Sequence, residues 1–509
     1  MSANFTLATP HAAQEARLRS LEHQIAHHKV TVEVEIERAA LLSVLDRRVE
    51  AQQAFIEILL REPKNFSALN EFGACLTAMG FIAAASRVYS EAITHHRANP
   101  IGHVNLANLL LREGNLSGAR ELYEAALRID PNHPQAHQGL GAVHSGLGDH
   151  RSAKLHFQNG FRDYFISTLP YRGTKPPVPL LLLVSSGSGN IPTASFLDDR
   201  IFAMSVIVAD FFDAMVPLPT HQVVFNAIGD ADLCRPALEA AVRLAKMTSA
   251  PMINDPSSVI RTGRASNAQR LRALPGVVAP RTAVIPRTIL TGTNAAATLS
   301  VHDFVFPLLL RSPGFHTGNH FVLVESLTDL PTAAADLPGD DLLVIEYLNA
   351  RGVDGNARKY RVMIVDGSIY PMHLAISRQW KVHYFTADMT NNIEHRSEDA
   401  AFLDNMPTVL GQKAVAALER IAEELNLDYG GIDFGLSPDG DILLFEANAT
   451  MVVNLPDSGE RWDYRRSAVA KILAAVSNMI LDRARHQRSP RLGDRRPFNS
   501  QENSLVGSH

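Results

Sequence analysis

The spacing of small and aromatic residues between positions 48 and 165 predicts a regular stack of helices. The same residue types return every 34 positions: Gly73, Ala107 and Gly141; Gly80, Gly114 and Gly148; Ala85, Ala119 and Ala153; Tyr89, Tyr123 and Phe157. Small residues let two helices approach closely, and an aromatic side chain fills the space between successive helix pairs. Ala51 and Phe55 stand one period earlier. The pattern therefore predicts about three helical hairpins over residues 65–165, with one further helix before them.

A 34-residue period of this kind is the signature of tetratricopeptide repeats. We assign residues 48–169 to these repeats and residues 1–47 to a charged N-terminal helical segment. Such a stack has a concave surface that binds peptides or proteins, so we expect a protein partner there. Self-association into a homo-oligomer and simple stiffening of the chain remain open as alternatives.

The pattern changes after a linker at residues 170–177, whose prolines and glycine do not suit a regular helix or strand. We predict strands at 178–184, 221–228 and 251–254, and helices at 195–214 and 238–247. The apolar run 201–217 contains Asp210 and Asp213, so we interpret it as a buried helix and not as a membrane span. Alternation of strands and helices indicates a small α/β domain with a parallel sheet at residues 178–285.

Residues 286–483 have the pattern of a second sheet-containing domain. The predicted strands are 304–311, 321–325 and 342–348, followed by a hairpin over 358–374 that turns at Asp366-Gly367. Apolar residues at helical spacing predict an amphipathic helix at 411–426, and a closing helix begins at Arg466. Residues 484–509 are polar and rich in Arg, Pro and Ser, so we predict a disordered tail.

Residues 429–455 carry the clearest chemical pattern. A short apolar strand containing Asp433 is followed by turn residues and by a second apolar strand that ends in Glu446-Ala447-Asn448. Antiparallel pairing places Asp433 opposite Phe445 or Glu446, and Glu446 shares a strand face with Asn448. Oxygen ligands of this kind suit Mg2+ that is shared with nucleotide phosphates. A surface hairpin whose acids face water would have the same spacing.

The same stretch resembles a known family. The sequences GGIDFG at 430–435 and LLFEANATM at 443–451 are similar to the metal-binding end of the ATP-grasp superfamily, close to its glutathione synthetase and RimK-type ligases. The resemblance implies a pre-ATP-grasp α/β domain at 178–285 and an α+β ATP-grasp fold at 286–483. It also implies that Asp433, Glu446 and Asn448 hold Mg2+ against ATP.

The resemblance assigns further residues to the nucleotide. Arg311 stands where the family has a lysine that reaches an ATP phosphate, and an arginine keeps the charge and grips phosphate oxygens with two donors. The loop 312–320 corresponds to a lid over the phosphates. The segment Glu346, Tyr347 and Leu348 corresponds to the hinge whose backbone contacts the adenine.

The hairpin at 358–378 resembles a strand pair that places cations beside the γ-phosphate and the carboxylate substrate. On this basis Lys359 joins Arg311 as a phosphate contact, and Arg361 and Arg378 orient an acyl phosphate. Two cations that face a negatively charged intermediate stabilise it electrostatically. Charged residues are also common on exposed strands, so each assignment rests on its place in the motif.

Composition limits the other classes of function. A chain of 509 residues is expected to form two to four domains. A net charge of −5 argues against a nucleic-acid partner. Cys75 and Cys234 form neither a disulfide framework nor a metal cluster, and residues 1–10 lack the pattern of a signal peptide. We therefore expect a cytoplasmic protein without a membrane segment.

These observations lead to one expected activity and two alternatives. The resemblance implies an ATP-dependent carboxylate–amine ligase that forms an amide through an acyl phosphate, acting on a peptide, a protein or an amino acid. A first alternative is a non-catalytic ATP-sensing scaffold that recruits a partner through its repeats, and the replacement of the usual lysine by Arg311 favours it. A second alternative is transfer of phosphate to an acceptor that is not a carboxylate.

Overall fold

The computed structural model describes residues 10–313, 320–382, 387–456 and 459–485. The chain forms two compact units. The first unit contains residues 1–188 and 198–221, and the second contains residues 189–197 and 222–509. The predicted linker at 170–177 lies within the first unit and has neither helix nor strand. No helix in the described part of the chain is long and apolar enough to cross a membrane.

Helices fill most of the first unit. In chain order they are α1 (Pro10–His27), α2 (Val32–Val44), α3 (Arg48–Arg61), α4 (Phe66–Ala78), α5 (Ile82–His95), α6 (Pro100–Arg112), α7 (Leu116–Ile129), α8 (Pro134–Gly146) and α9 (His150–Phe161). The three pairs from α4 to α9 are the predicted repeats, and α3 is the predicted helix that precedes them. The turn glycines Gly80, Gly114 and Gly148 all have positive φ angles, between 77° and 81°, which explains their repetition.

Close packing explains the other repeated positions. A Cβ atom at Gly141 would lie 2.3 Å from the ring of Phe157, and one at Gly73 would lie 2.4 Å from the ring of Tyr89. The remaining aromatic, Tyr123, is fully buried, and a Cβ atom at Gly139 would lie 2.1 Å from it. Each aromatic ring therefore lies against the backbone of a neighbouring helix, as the period predicts.

The first unit also contains strands β1 (Ile166–Thr168), β2 (Val178–Val184) and β3 (Phe202–Val208). Strand β3 pairs with β1 in antiparallel fashion and with β2 in parallel fashion. The prediction of a helix at 195–214, including the buried helix at 201–217, is wrong. Strand β3 ends in Val206, Ile207 and Val208, which are β-branched residues that favour a strand, and it pairs with β2 along its whole length.

The second unit alternates short strands and helices. Its elements are β4 (Val223–Asn226), α10 (Arg235–Ala245), β5 (Met252–Ile253), α11 (Pro256–Ile260), α12 (Arg264–Leu271), β6 (Val277–Val278), β7 (Thr282–Pro286), α13 (Arg287–Leu290), α14 (Ala295–Val301), β8 (Leu308–Arg311), β9 (Phe321–Val324), α15 (Leu330–Ala335), β10 (Asp341–Glu346), β11 (Ala357–Val365), β12 (Ser368–Ser377), α16 (Ile393–Asp404), α17 (Met406–Leu410), α18 (Gln412–Leu425), β13 (Tyr429–Leu436), β14 (Ile442–Asn448) and α19 (Arg466–Arg485). Strands β4 and β5 are parallel.

Strands β7, β10, β8 and β9 form an antiparallel sheet in that order, which we call the small sheet. One of its faces packs on α13, α14 and α15 through buried residues that include Leu308, Leu342 and Leu299. The opposite face carries Leu309, Leu343 and Ile345, which pack against aromatic side chains. The alternation of the two faces along each strand is the period of two that an antiparallel sheet produces.

A second sheet, which we call the large sheet, has the order β12, β11, β13, β14 and β6. Strands β11 and β12 turn at Asp366 and Gly367, whose φ angles of 49° and 80° fit the predicted two-residue turn. Helix α18 ends at Asn426, which has left-handed backbone geometry. The predicted tail at 484–509 lies, beyond residue 485, outside the described residues.

Candidate functional site

A cavity of about 510 Å3 in the second unit is lined by side chains from both of its larger sheets. Nine of the ten predicted site residues line it: Arg311, Glu346, Tyr347, Leu348, Lys359, Arg361, Asp433, Glu446 and Asn448. The tenth, Arg378, follows the end of β12 and is exposed, and its carbonyl accepts a hydrogen bond from Arg351 at 2.8 Å. Arg378 does not line this cavity, although Trp380, two residues later, does.

One end of the cavity is apolar and aromatic. Leu309 and Ile345 of the small sheet line it together with Phe321, Tyr347 and Trp380. The ring of Trp380 lies edge-on to Phe321, with 5.4 Å between centroids, and edge-on to Tyr347, with 6.4 Å. A wall of this kind can hold a flat aromatic base. Trp380 was not among the predicted residues, because no sequence pattern links position 380 to strands β9 and β10.

The hinge residues lie where β10 ends. The backbone N–H of Glu346 donates to the carbonyl of Arg281, and its carboxylate accepts from the backbone N–H of Arg281 at 3.0 Å. These bonds attach the last residue of β10 to the chain that enters β7. Tyr347 and Leu348 follow beyond the paired strand and also line the cavity.

Asp433 is at the centre of the polar end. It is 2% exposed, and β11 places Arg361 directly across from it. Arg361 donates to both carboxylate oxygens, at 2.5 Å and 2.7 Å, and Lys359 Nζ lies 3.0 Å from Oδ2. Burial alone would raise the pKa of Asp433, but the attraction of Arg361 and Lys359 lowers this pKa well below its usual range. The carboxylate is therefore ionised at neutral pH.

Strand β14 presents the second carboxylate. The register pairs Asp433 with Glu446 and Phe434 with Leu444, so Phe445 is an extra residue that forms a β-bulge. Arg264 Nη2 lies 2.6 Å from Glu446 Oε1. Burial would raise the pKa of Glu446, but the charges of Arg264 and Arg311 lower it. The pairing with Glu446 confirms one of the two registers predicted from the turn.

Asn448 completes the predicted oxygen set. Its Nδ2 donates to Glu446 Oε1 at 2.9 Å, and its Oδ1 accepts from the backbone N–H and the hydroxyl of Thr450, both at 3.0 Å. The amide is thus oriented by partners on both sides. Glu446, Asn448 and Thr450 all line the cavity.

Arg264 was not predicted as a site residue. It begins α12 and is 182 positions from Glu446 in sequence, so no local motif connects the two. Arg311, at the end of β8, lies with its guanidinium carbon 5.6 Å from the centre of the Phe321 ring. Burial and the nearby charge of Arg264 lower the pKa of Arg311 to about 10, which still leaves the side chain charged at neutral pH.

Charge is distributed unevenly around the cavity. Among the described residues that line it, seven side chains are cationic and three are anionic: Arg264, Arg311, Arg358, Lys359, Arg361, Lys381 and Arg465 against Glu346, Asp433 and Glu446. This excess of positive charge favours a polyanionic ligand. His373 also lines the cavity, and its burial and the charge of Arg361 lower its pKa, so it is neutral.

A buried ion pair supports the wall beside His373. Asp399 of α16 is fully buried and lies 2.6 Å from Arg465. Asp399 also accepts from the hydroxyl of Tyr464 and from the backbone N–H of Leu374 in β12, each at 2.6 Å. This network joins α16, β12 and the turn before α19. Arg465 lines the cavity from this fixed position.

The oxygen set is chemically suited to a hard divalent cation, although a cation would have to share it with the chain's own positive charges. Both carboxylates are ionised, and Glu446 Oε2 has no hydrogen-bond partner among the residues that the structure describes. No group of three or more His, Cys, Asp or Glu side chains in the described ranges could hold a metal ion. A cation here would therefore need Asn448 or ligand oxygens to complete its coordination.

Comparison with known proteins identifies the helical part. Tetratricopeptide repeat models match residues 76–134 and 110–159. The solved structures that match part of the chain include MamA 41-end from Desulfovibrio magneticus RS-1, at 24% identity and a TM-score of 0.27, over 29% of this chain and 84% of that one. The MamA RS-1 ArsTM double mutant has the same identity and a TM-score of 0.26, covering 29% of this chain and 83% of that one.

A further similar structure is the APC/C hetero-tetramer Cut9-Hcn1, at 18% identity and a TM-score of 0.28, over 29% of this chain and 28% of that one. The comparison with curated proteins found no match. The two family models confirm tetratricopeptide repeats at residues 76–159, and such repeats are modules of protein–protein interaction. A sheet-containing region follows them in the chain.

Proposed function

We propose that this chain is an ATP-grasp ligase that joins a carboxylate to an amine, and that its repeats recruit the protein or peptide on which it acts. The observation that carries the proposal is the cavity itself. Its aromatic end suits an adenine, and its cationic end suits a triphosphate. Two facing carboxylates lie at the cationic end, where a nucleotide-bound Mg2+ would be needed.

The cationic side chains that would bind the phosphates come from both sheets. Arg311 approaches from the small sheet, and Lys359 and Arg361 approach from β11 of the large sheet. A triphosphate between the sheets would be gripped from two sides, which fixes the γ-phosphate relative to an incoming carboxylate. Arg361 is held by two hydrogen bonds to Asp433, so its orientation is set before any ligand binds.

The proposed reaction has two steps. A carboxylate oxygen of the substrate attacks the γ-phosphorus of ATP, the bond to the β–γ bridging oxygen breaks, and ADP leaves. The amine then attacks the carbonyl carbon of the acyl phosphate, inorganic phosphate leaves, and the amine loses one proton. Mg2+, when bound by Asp433, Glu446 and Asn448, would neutralise phosphate charge. Arg361 would orient the acyl phosphate; Arg378, which was predicted to share this role, is exposed and does not line the cavity.

A second candidate is an ATP-sensing scaffold that binds nucleotide and recruits a partner without turnover. Two observations favour it. The repeats are recognised independently of the cavity, and the chain's own cations already neutralise both carboxylates. The use of Arg311 in place of the usual lysine points in the same direction.

Nucleotide binding and ADP release separate these candidates. We would measure ATP affinity by calorimetry and ADP release with Mg-ATP, with and without pools of amino acids and peptides. The full-length chain would be compared with Asp433→Asn, Glu446→Gln and, as a matched control, Asp439→Asn at the exposed turn.

The ligase is supported if substrates stimulate ADP release and if this release is abolished by Asp433→Asn and by Glu446→Gln. Asp439→Asn should preserve it. Tight ATP binding without release under any pool supports the sensor. If ATP does not bind at all, both candidates are wrong.

A further inference from the structure

We infer that Arg264 is an internal counter-ion of Glu446 that competes with a divalent cation for this carboxylate. The inference rests on the proposed nucleotide site and adds a residue that sets its metal affinity. Arg264 Nη2 and Glu446 Oε1 are 2.6 Å apart, and both side chains are less than one-third exposed. An ion pair at this depth is screened only weakly, so displacing it has a measurable cost.

The Arg264 side chain has a second cavity beside it. A second cavity, of about 40 Å3, adjoins the main one, and Arg264, Glu446 and Asn448 line both. Asp230 and Asp232 line only the smaller cavity. Arg264 and Glu446 therefore share the smaller cavity with two further acids.

These two acids offer the guanidinium an alternative environment. Asp232 Oδ2 already accepts the backbone N–H of Arg264 at 3.0 Å, so this acid is held next to the base of the side chain. Asp230 is fixed in turn, because its Oδ1 accepts the backbone N–H groups of Asp232 and Leu233 at 2.9 Å. A guanidinium that left Glu446 would still have two negative charges nearby, because Asp230 and Asp232 line the smaller cavity together with Arg264.

Electrostatics gives the direction of the movement. Arg264 and Arg311 already repel each other, and this repulsion is part of the reason that the pKa of Arg311 is lowered. A divalent cation at Glu446 would add two positive charges beside them, so the guanidinium is stabilised by moving toward Asp230 and Asp232. Without the cation, Arg264 keeps the half-buried carboxylate neutralised, which avoids an unpaired charge.

The test measures metal binding directly. We would titrate Mn2+ alone into the full-length chain and follow free Mn2+ by electron paramagnetic resonance. The variants are Arg264→Gln, Asp232→Asn and Arg261→Gln. Arg261 is the matched control, because it is three residues earlier and carries the same charge. It forms an ion pair with Glu424, at 3.4 Å, outside the cavity. Asp232→Asn keeps an oxygen that can accept the Arg264 N–H but removes the negative charge.

We expect Arg264→Gln to tighten Mn2+ binding about tenfold, since it removes the competing charge. Asp232→Asn should weaken it about threefold, because the displaced guanidinium loses a favourable neighbour. Arg261→Gln should leave it unchanged. Adding Glu446→Gln to Arg264→Gln should abolish the gain, which also excludes a new metal site elsewhere.

Unchanged or weaker Mn2+ binding in Arg264→Gln would overturn the inference, and so would the absence of Mn2+ binding in every variant. These results would leave the nucleotide proposal standing if ATP still binds in calorimetry. If Arg264→Gln fails to fold, the Asp232→Asn result decides: weaker Mn2+ binding supports the inference, and unchanged binding overturns it.

Discussion

Asp433 and Glu446 face each other across the paired strands β13 and β14, and each carboxylate is bound by a cation from a different part of the chain. Arg361 reaches Asp433 from the neighbouring strand, and Arg264 reaches Glu446 from α12. Facing acids without such partners would repel each other in a half-buried site. The arrangement therefore allows the protein to fold with both acids ionised before any ligand arrives.

The buried pair gives a first prediction, about stability. Asp433→Asn leaves Arg361 and Lys359 near a neutral amide, so we expect the free energy of unfolding of the second unit to fall by about 3 kcal/mol. The pKa of Asp433 is lowered by folding, so its contribution is fully present above the usual pKa of an unfolded aspartate and is lost only as the pH falls far below it. Urea unfolding at pH 7 measures this free energy. The control Asp439→Asn should change the free energy of unfolding little.

The aromatic end gives a second prediction, about nucleotide binding. The chain has two tryptophans, Trp380 in the cavity wall and Trp462 outside the set that lines it. Adding ATP should change the intrinsic fluorescence of the wild type and of Trp462→Phe but not of Trp380→Phe. Trp380→Ala should weaken ATP binding about tenfold, because it removes a wall of the base site. A nucleotide-dependent signal that persists in Trp380→Phe would contradict this position for the base.

Arg311 gives a third prediction. Its side chain lines the cavity from the end of β8, so Arg311→Met should weaken ATP binding about tenfold or more. Arg311→Lys should retain most of the affinity if charge alone matters, and should lose part of it if two donors are needed. Binding of AMP, which lacks the β- and γ-phosphates, provides the contrast. An equal loss for AMP and ATP would show that Arg311 does not contact those phosphates.

Packing of the repeats gives a fourth prediction. Gly139→Ala would place a Cβ atom 2.1 Å from the ring of Tyr123, so helices α7 and α8 would have to separate. We expect a loss of about 1–3 kcal/mol in the free energy of unfolding of the first unit. Gly146→Ala in the same helix meets only the flexible end of Leu116, at 3.2 Å, and should change stability little. Thermal unfolding followed by circular dichroism compares the two.

Histidines of the last repeat give a fifth prediction. His137 Nδ1 and His156 Nδ1 are 2.9 Å apart, and the ring of His144 stacks on that of His156. Burial and the charges of His137 and His144 lower the pKa of His156. A proton is therefore bound more tightly by the unfolded chain, so stability should fall as the pH drops below about 6.5.

The measurement for this prediction is the midpoint of urea unfolding at pH 7.5 and pH 5.5. His156→Gln should reduce the difference between the two midpoints. His150→Gln, at an exposed position of the same helix, should preserve it. If the two midpoints differ as much in His156→Gln as in the wild type, the acid sensitivity comes from other residues.

Local patterns in the sequence were enough to predict the repeats and the hairpin at 429–455. The repeats follow from a strict period, and the pairing of Asp433 with Glu446 follows from a short turn between two strands. The segment 201–217 shows where such patterns are insufficient. A short apolar run is compatible with a buried helix or a buried strand, and only pairing with β2 selects the strand.

The unpredicted parts of the site come from distant segments. Arg264 meets Glu446 across 182 positions, and Trp380 meets Phe321 across 59. Neither residue belongs to a motif with a fixed spacing from its partner. Such contacts depend on how sheets and helices pack, so a single sequence does not contain a local signal for them.

The extra residue Phe445 makes the chemistry of this hairpin depend on chain length as well as on residue type. Regular alternation would send consecutive side chains to opposite faces, yet Phe445 and Glu446 both line the cavity. Inserting one residue before Phe445, with a single residue still bulged, would keep every acid in the sequence while placing Phe445 across from Asp433. A change of chain length at this point would thus disturb the site as strongly as replacement of a carboxylate. A sequence comparison that scores only residue identity would overlook such a change.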